Sequence, residues 1–369
     1  MNWQAIFGYL SSDYRSWPNY LQAEKQVITL KVDASGTTVR LILENEYGIE
    51  SLDFSKLTLT HRGQVYPVQV LYQDFISIKP GERIQTDPIA IVFEVGDTFV
   101  ITTQLAHPTI VTSGIVTYSD QEMQVNNFYQ DMFEPQDWRF RIHQENPMLQ
   151  FVYGFQYLEA ITESQTIHFF GDSLTQQGWL MDGLKQRLRD EKQTEFGIVN
   201  LGIGGNEILV GTHQPTSDSY FRHGYAGLTR FERDVFGLNV PDTVLLFHGI
   251  NDCLFGSESA ETIISGLKHY AEIAQRYGSR LVGCTLTPAG HSEFYTPTFE
   301  QKRQVVNAWI RNSSVYDAVL DLDAIAYDAQ TPEILKTALD RGDGLHYSKE
   351  GGHALAQALP RENLLKILS

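Results

Sequence analysis

TIHFFGDSLTQ, residues Thr166 to Gln176, begins as a short, largely apolar run and stops at Gly171, after which an acid and a serine stand side by side ahead of a helical pattern. A brief apolar run closed by a glycine reads as a strand buried on both faces. Gly171-Asp172-Ser173 is then either a plain turn or the seat of a nucleophile. The spacing of Ser173 and Gln176 also fits a capping box, in which the serine only starts a helix.

The same texture recurs downstream in FGIVNL, DTVLLFHG, SRLVGCTL and AVLDL. Amphipathic helical patterns lie between these runs, at Trp179–Arg189, Ala260–Arg276 and Phe299–Arg311, with Thr296-Pro297 supplying a cap and a first-turn proline. Strand, helix, strand repeated five times predicts an α/β domain whose parallel sheet is covered on both faces. Ligands in such sheets bind at the C-terminal ends of the strands.

Before Thr166 the period changes. Ile28, Leu30 and Val32 alternate with Thr29 and Lys31, and Val39, Leu41 and Leu43 alternate with Arg40 and Ile42. Turn signals such as Asp33-Ala34-Ser35-Gly36 and Lys79-Pro80-Gly81-Glu82 separate strands over Gln26 to Ser119, with no helix expected among them. This predicts an N-terminal antiparallel β-sandwich. Phe128 to Tyr157 is dense in aromatics, including Tyr129, Phe133, Trp138, Phe140, Phe151, Tyr153 and Phe155; it reads as a packed seam between domains, with a glycan-stacking surface as the alternative. The expected boundaries are residues 1–160 for the sandwich with its aromatic linker and 161–369 for the α/β domain.

A chain of 369 residues fits two such domains, because single cores stop growing at roughly 250 to 300 residues. With 28 Lys plus Arg against 45 Asp plus Glu the net charge is −17, which repels phosphate backbones and acidic membranes. Neither nucleic acid nor a membrane is expected as a partner, and the sequence is silent on oligomeric state. The N-terminus lacks a basic start and an unbroken apolar core, so no signal peptide is read there and a cytoplasmic location is expected. Cys253 and Cys284 are the only cysteines. Each reads as the end of a buried strand, an inert core thiol rather than half of a redox pair.

The strand ends carry the chemistry. They hold Gly171-Asp172-Ser173, then Asn200-Leu201-Gly202-Ile203-Gly204-Gly205-Asn206, then His248-Gly249-Ile250-Asn251-Asp252; after the fifth strand comes Gly342-Asp343-Gly344-Leu345-His346. A serine nucleophile needs a base, and the base needs an acid to fix its tautomer. His346 fits the base and Asp343 its orienter, three residues apart on one turn. Backbone N–H groups of Ser173 and Gly205 and the Asn251 amide fit an oxyanion hole. Taken singly, each block has a structural use: Gly204-Gly205 as a tight turn, Asn251-Asp252 as a cap, His346 as a satisfied core histidine. Their joint occurrence in this order favours catalysis. Asp172 and His248, with Tyr220 and Phe221 in the loop after the second strand, are expected near the substrate. Phe294 and Tyr295, in the loop after the fourth, are further candidates to wall the acyl pocket. No histidine pair has H-E-x-x-H spacing, so no metal site is expected, and the absence of G-x-S-x-G argues against the common α/β-hydrolase elbow.

These blocks resemble the SGNH, or GDSL, hydrolase superfamily: Ser173 in GDSL, Gly205 in NLGIGGN, Asn251 in GIND, and Asp343 with His346 in DGLH. The resemblance implies a flavodoxin-like three-layer sandwich, a Ser173-His346-Asp343 triad, an oxyanion hole of Ser173, Gly205 and Asn251, and ester hydrolysis without a cofactor. Further stretches, GIGGNEIL, LTRFERDVF, GCTLTPAG, VVNAWIR and AVLDLDA, resemble a two-domain branch of xylan-cluster acylhydrolases or arylesterases that also carries an N-terminal β-domain. Tyr347 departs from that pattern, which usually has proline after the histidine. The expected activity is hydrolysis of short-chain acyl esters, such as O-acetyl esters on small or oligosaccharide substrates. The alternatives are a lipase- or thioesterase-like acylhydrolase, or a glycan-binding protein on an inactive hydrolase scaffold.

Overall fold

The computed structural model describes residues 2–16, 18–119, 122–126, 150–193, 195–211 and 223–368. The chain divides into two compact units. The first comprises Met1–Ser164, Glu195–Val199 and Gln214–Tyr220; the second comprises Gln165–Thr194, Asn200–His213 and Phe221–Ser369. Within the aromatic stretch, Tyr129, Phe133, Trp138 and Phe140 lie outside the described residues, whereas Phe151, Tyr153 and Phe155 are buried.

Among the described residues up to Thr162, every regular element of the first unit is a strand. They are β1 (Asn2–Tyr9), β2 (Ser12–Asp13), β3 (Asn19–Leu21), β4 (Lys25–Lys31), β5 (Gly36–Glu44), β6 (Leu52–His61), β7 (Gln64–Pro67), β8 (Ile76–Ile78), β9 (Arg83–Gln85), β10 (Ile89–Phe93), β11 (Thr98–Leu105), β12 (Thr109–Val111), β13 (Ser113–Thr117), β14 (Met123–Val125), β15 (Gln150–Val152) and β16 (Phe155–Thr162). One antiparallel ladder runs β10-β5-β16-β1 and another β14-β4-β11-β6-β7. Phe99, Ile101, Thr103 and Leu105 alternate inward along β11, as a half-buried strand requires. Phe93 of the first ladder meets Phe99 of the second edge-on, ring centroids 5.4 Å apart, so the two sheets share a core as a sandwich. Gln26 falls on the buried face of β4 and is satisfied there: its amide donates to the Tyr153 carbonyl at 3.0 Å and accepts the Tyr153 N–H at 3.1 Å. In β5 the expected alternation breaks down, because Ile42 is buried along with Leu41 and Leu43; this half of the strand is covered on both faces.

The second unit is built on β17 (Gln165–Gly171), β18 (Phe196–Gly202, entering this unit at Asn200), β19 (Thr243–Phe247), β20 (Arg280–Cys284) and β21 (Ala318–Leu320). Its helices are α1 (Ser173–Gln176), α2 (Trp179–Asp190), α3 (Gly227–Phe236), α4 (Ile250–Leu254), α5 (Ala260–Tyr277), α6 (Pro297–Asn312), α7 (Leu322–Ala326), α8 (Lys349–Gln357) and α9 (Arg361–Leu365). The strand order β18-β17-β19-β20-β21 is the flavodoxin-like 2-1-3-4-5 order. The pairs β17–β19, β19–β20 and β20–β21 are parallel. Helix α2 packs on α8, while α5 packs on α3 and α6, giving the two helical layers of a three-layer α/β sandwich. Close approach of α2 and α8 depends on Gly183 and Gly352, since a Cβ at either would lie within 3.0 Å of the opposite helix. Thr296 caps α6 through its hydroxyl, with Pro297 in the first turn, as the sequence predicts.

Cys284 does end β20, but Cys253 lies inside α4 rather than on a strand. Both thiols are free and buried, and burial pushes both well above the ordinary thiol range, which keeps them unreactive. Among the described residues no helix is long and apolar enough to cross a membrane.

Candidate active site

The sheet order reverses between β17 and β19, which opens a crevice at their C-terminal ends. Ser173 follows the first of these strands and Asn251 the second. Gly171 makes the turn after β17 possible: a Cβ there would stand 2.2 Å from Thr175 Oγ1 and 2.3 Å from the Phe247 carbonyl oxygen. The residue that caps α1 is Asp172, whose carboxylate accepts the Leu174 N–H at 3.1 Å. Ser173 is therefore not the cap of a capping box. Its hydroxyl lies 2.8 Å from His346 Nε2.

His346 Nδ1 lies 2.8 Å from Asp343 Oδ2. A carboxylate only accepts, so Nδ1 carries the proton and Nε2 is left to accept from the serine hydroxyl. The other Asp343 oxygen, Oδ1, accepts the backbone N–H groups of Leu345 at 3.0 Å and His346 at 2.8 Å. Burial opposes the charge on Asp343, but His346, Arg341 and these N–H groups outweigh it and hold the carboxyl well below the usual carboxylate range. The hairpin that carries both residues is closed by Arg341 N–H to the His346 carbonyl at 3.0 Å and Ser348 N–H to the Leu339 carbonyl at 2.9 Å. Gly344, at φ +73°, packs against the His291 and Ser292 backbone so closely that only glycine fits.

On the opposite side, Asn251 is buried in the first turn of α4, and its amide donates to the Asn206 carbonyl at 3.0 Å. One amide hydrogen is thus used, and among the described residues the second has no acceptor. Gly205 turns the loop after β18 at φ +63°. Among the described residues no acceptor takes the N–H of Ser173 or Gly205.

Beneath this rim lies Arg230 of α3, fully buried, to which the LTRFERDVF stretch alone assigns no role. It donates to the Gly171 carbonyl at 2.8 Å, the Leu201 carbonyl at 3.0 Å and Asn206 Oδ1 at 2.9 Å, and its guanidinium stacks 4.0 Å from the Phe170 ring centroid. One side chain thereby ties the ends of β17 and β18 together. Asp252 does the same for the next loop, accepting Ile208 N–H at 2.8 Å and Leu209 N–H at 3.2 Å.

Asp172 and His248 sit below the rim rather than on it. Asp172 is buried, and desolvation pushes its carboxyl up to about 7. His248 is also buried; its Nε2 donates to the Asn206 carbonyl at 3.2 Å and its Nδ1 faces the Tyr270 hydroxyl at 3.1 Å. Burial, reinforced by the nearby Arg230 charge, pushes His248 down to about 3 and keeps it neutral. Tyr220 and Phe221 lie outside the described residues. Phe255, one turn of α4 beyond Asn251, meets Phe294 with ring centroids 5.0 Å apart, which links α4 to the loop after β20. Tyr295 is turned instead toward Phe299 of α6, at 6.0 Å. Tyr347 is fully buried, with its hydroxyl 2.9 Å from Thr287 Oγ1.

Residues 169–354 match the family described as GDSL-like Lipase/Acylhydrolase. Similar solved structures include a GDSL-like lipase from Bacteroides thetaiotaomicron, at 20% identity and a TM-score of 0.41, covering 55% of this chain and 88% of that one. A catalytic mutant of an acetylxylan esterase from Geobacillus stearothermophilus aligns at 19% identity and a TM-score of 0.41, covering 54% and 93%. The aryl esterase of M. smegmatis aligns at 16% identity and a TM-score of 0.40, covering 53% and 96%. No curated protein matches the chain.

Proposed function

The chain belongs to the GDSL-like lipase/acylhydrolase family and is an ester hydrolase, and we propose that it cleaves short-chain acyl esters, O-acetyl esters on carbohydrates foremost, through an acyl-Ser173 intermediate. The observation that carries the reading is the unbroken chain from Ser173 Oγ through His346 to Asp343, with both links at 2.8 Å.

In this reaction Ser173 Oγ attacks the ester carbonyl carbon as its proton passes to His346 Nε2. The carbonyl π electrons move onto oxygen, and that oxyanion accepts from the Ser173 and Gly205 N–H groups and the Asn251 amide. Asp343 stays ionised and stabilises the imidazolium. Collapse of the intermediate expels the alcohol, which takes the proton from Nε2. Water then attacks the acyl-serine by the same route, releasing the acid and restoring Ser173.

The preference for a short acyl group is our reading of the Phe255–Phe294 pair, whose rings meet 5.0 Å apart one helical turn beyond Asn251. The net charge of −17 disfavours docking at an anionic lipid surface. Hydrolysis of p-nitrophenyl acetate, butyrate and octanoate beside Ser173→Ala tests the reading. Acetate should be preferred and the variant inactive. A preference for octanoate would move the assignment to a lipase- or thioesterase-like enzyme, and equal rates in both proteins would leave the triad without a role.

A further inference from the structure

Asp343 Oδ2 accepts two donors: His346 Nδ1 at 2.8 Å and Arg341 Nε at 2.8 Å. We propose that Arg341 is a positioning residue that sets the lower pH limit of the reaction by competing with the His346 imidazolium for this one carboxylate oxygen. The proposal rests on the reading of Ser173, His346 and Asp343 as a triad.

The geometry holds this competition in place. Arg341 is clamped to His346 by backbone as well as through the shared carboxylate, and its side chain is only 13% exposed, so water screens the guanidinium poorly. Asp340 fixes the turn between them by accepting the N–H groups of Gly342 at 2.8 Å and Gly344 at 3.0 Å. That turn needs Gly342 at φ +111° and Gly344 at φ +73°, so the backbone curls Asp343 back over Arg341. With both backbone N–H groups on Oδ1, the two side-chain cations are left to share Oδ2.

The consequence follows from Coulomb's law. A proton on His346 is stabilised by the Asp343 carboxylate and opposed by the fixed positive charge of Arg341 beside it. Among the described residues, the other charged or titratable groups about the pair include Asp340 in the same hairpin, Asp172 at the Ser173 end, Tyr347 next to His346, and His291, whose backbone packs on Gly344. Arg341 is the cation that touches the shared oxygen. Its charge opposes the second positive charge that protonation would place on the same oxygen.

The experiment is the pH profile of kcat/KM for the full-length parent, Arg341→Gln and Arg341→Lys on p-nitrophenyl acetate, with Tm recorded for each. In Arg341→Gln the acid limb should move up by about half to one pH unit. Arg341→Lys should leave the limb near its parental position while lowering the plateau, because an ammonium keeps the charge and loses the fixed geometry of the guanidinium. A brace with no electrostatic role would lower Tm and the plateau in Arg341→Gln and leave the limb unmoved, and that result would overturn the proposal. Its failure is separable from failure of the triad: an inactive Ser173→Ala with an unmoved Arg341→Gln limb removes only the role of Arg341, whereas an active Ser173→Ala removes both.

Discussion

Arg230 donates to the Gly171 carbonyl at 2.8 Å, so the strand end that carries Ser173 is held by a buried cation arriving from α3. The same guanidinium lies 3.3 Å from Asp234, also fully buried. Replacing it with the apolar Arg230→Met would leave two carbonyls and Asn206 Oδ1 short of a donor and weaken the pairing of a buried carboxylate. The expected loss is about 3–5 kcal/mol in urea unfolding, with a fall in kcat. A change below about 1 kcal/mol would mean that water or Arg233 substitutes fully.

Asn251→Ala removes the side-chain donor we propose for the oxyanion and the bond to the Asn206 carbonyl. We expect kcat to drop by about 10² to 10³ with KM nearly unchanged, because the donor acts on charge that develops only in the transition state. Steady-state kinetics on p-nitrophenyl acetate decide this. A rise in KM at constant kcat would place Asn251 in ground-state binding instead.

Two histidines make stability depend on pH. Burial pushes His168 down to about 4 from the ordinary 6.5; its Nδ1 bonds the Val235 carbonyl at 2.8 Å, and its Nε2 has no partner among the described residues. As pH falls, the unfolded chain takes up this proton first. The stability contributed by a neutral His168 is therefore complete above about pH 6.5 and is lost as pH falls from there toward about 4. His248 has the same sign. Asp172 and Asp252, each pushed up to about 7 by burial, have the opposite one: the folded chain holds their protons longer, and their contribution fades as pH rises from about 4 to about 7. Urea unfolding near pH 7 and near pH 5 should show His168→Gln losing less stability on acidification than the parent. Equal losses would show that His168 takes up its proton at the same pH in the folded and unfolded chains, and so is not pushed down by burial.

Tyr347 occupies the position after His346 where the resembled branch usually carries proline. The short ladder there uses the N–H groups of Arg341 and Ser348, and the Tyr347 side chain is anchored separately by Thr287. Tyr347→Phe should cost about 1 kcal/mol and lower kcat a few-fold, by loosening the loop that holds His346. In a double-mutant cycle with Thr287→Val the two losses should not add. Additive losses would mean that the two hydroxyls act independently.

The candidate site residues were legible because Ser173 and Asn251 follow strands whose apolar runs are local in sequence, and Asp343 and His346 share one short hairpin. Gly171-Asp172-Ser173 and Asp343-Gly344-Leu345-His346 announce themselves within a few residues. The capping role was ambiguous at that level, since Asp172 and Ser173 are both good caps, and only the observed bond from Leu174 N–H to Asp172 separates them. Arg230 and Gly171 are 59 residues apart, and an arginine inside an amphipathic helix looks like a solvated face until the fold buries it. Cys253 was misplaced because DTVLLFHG runs without a break into a short helix, and Gly249 at φ +120° marks the change. Arg341 stands beside the DGLH block, yet no spacing rule says that its side chain turns back to Asp343.

The most direct test of the account is the mass of the protein quenched within milliseconds of mixing with p-nitrophenyl acetate, followed by peptide mapping. A single acetyl group on Ser173, formed as p-nitrophenol is released and absent from Ser173→Ala, is the expected result. Turnover with no acetyl on Ser173, or with the acetyl on another residue, would contradict it.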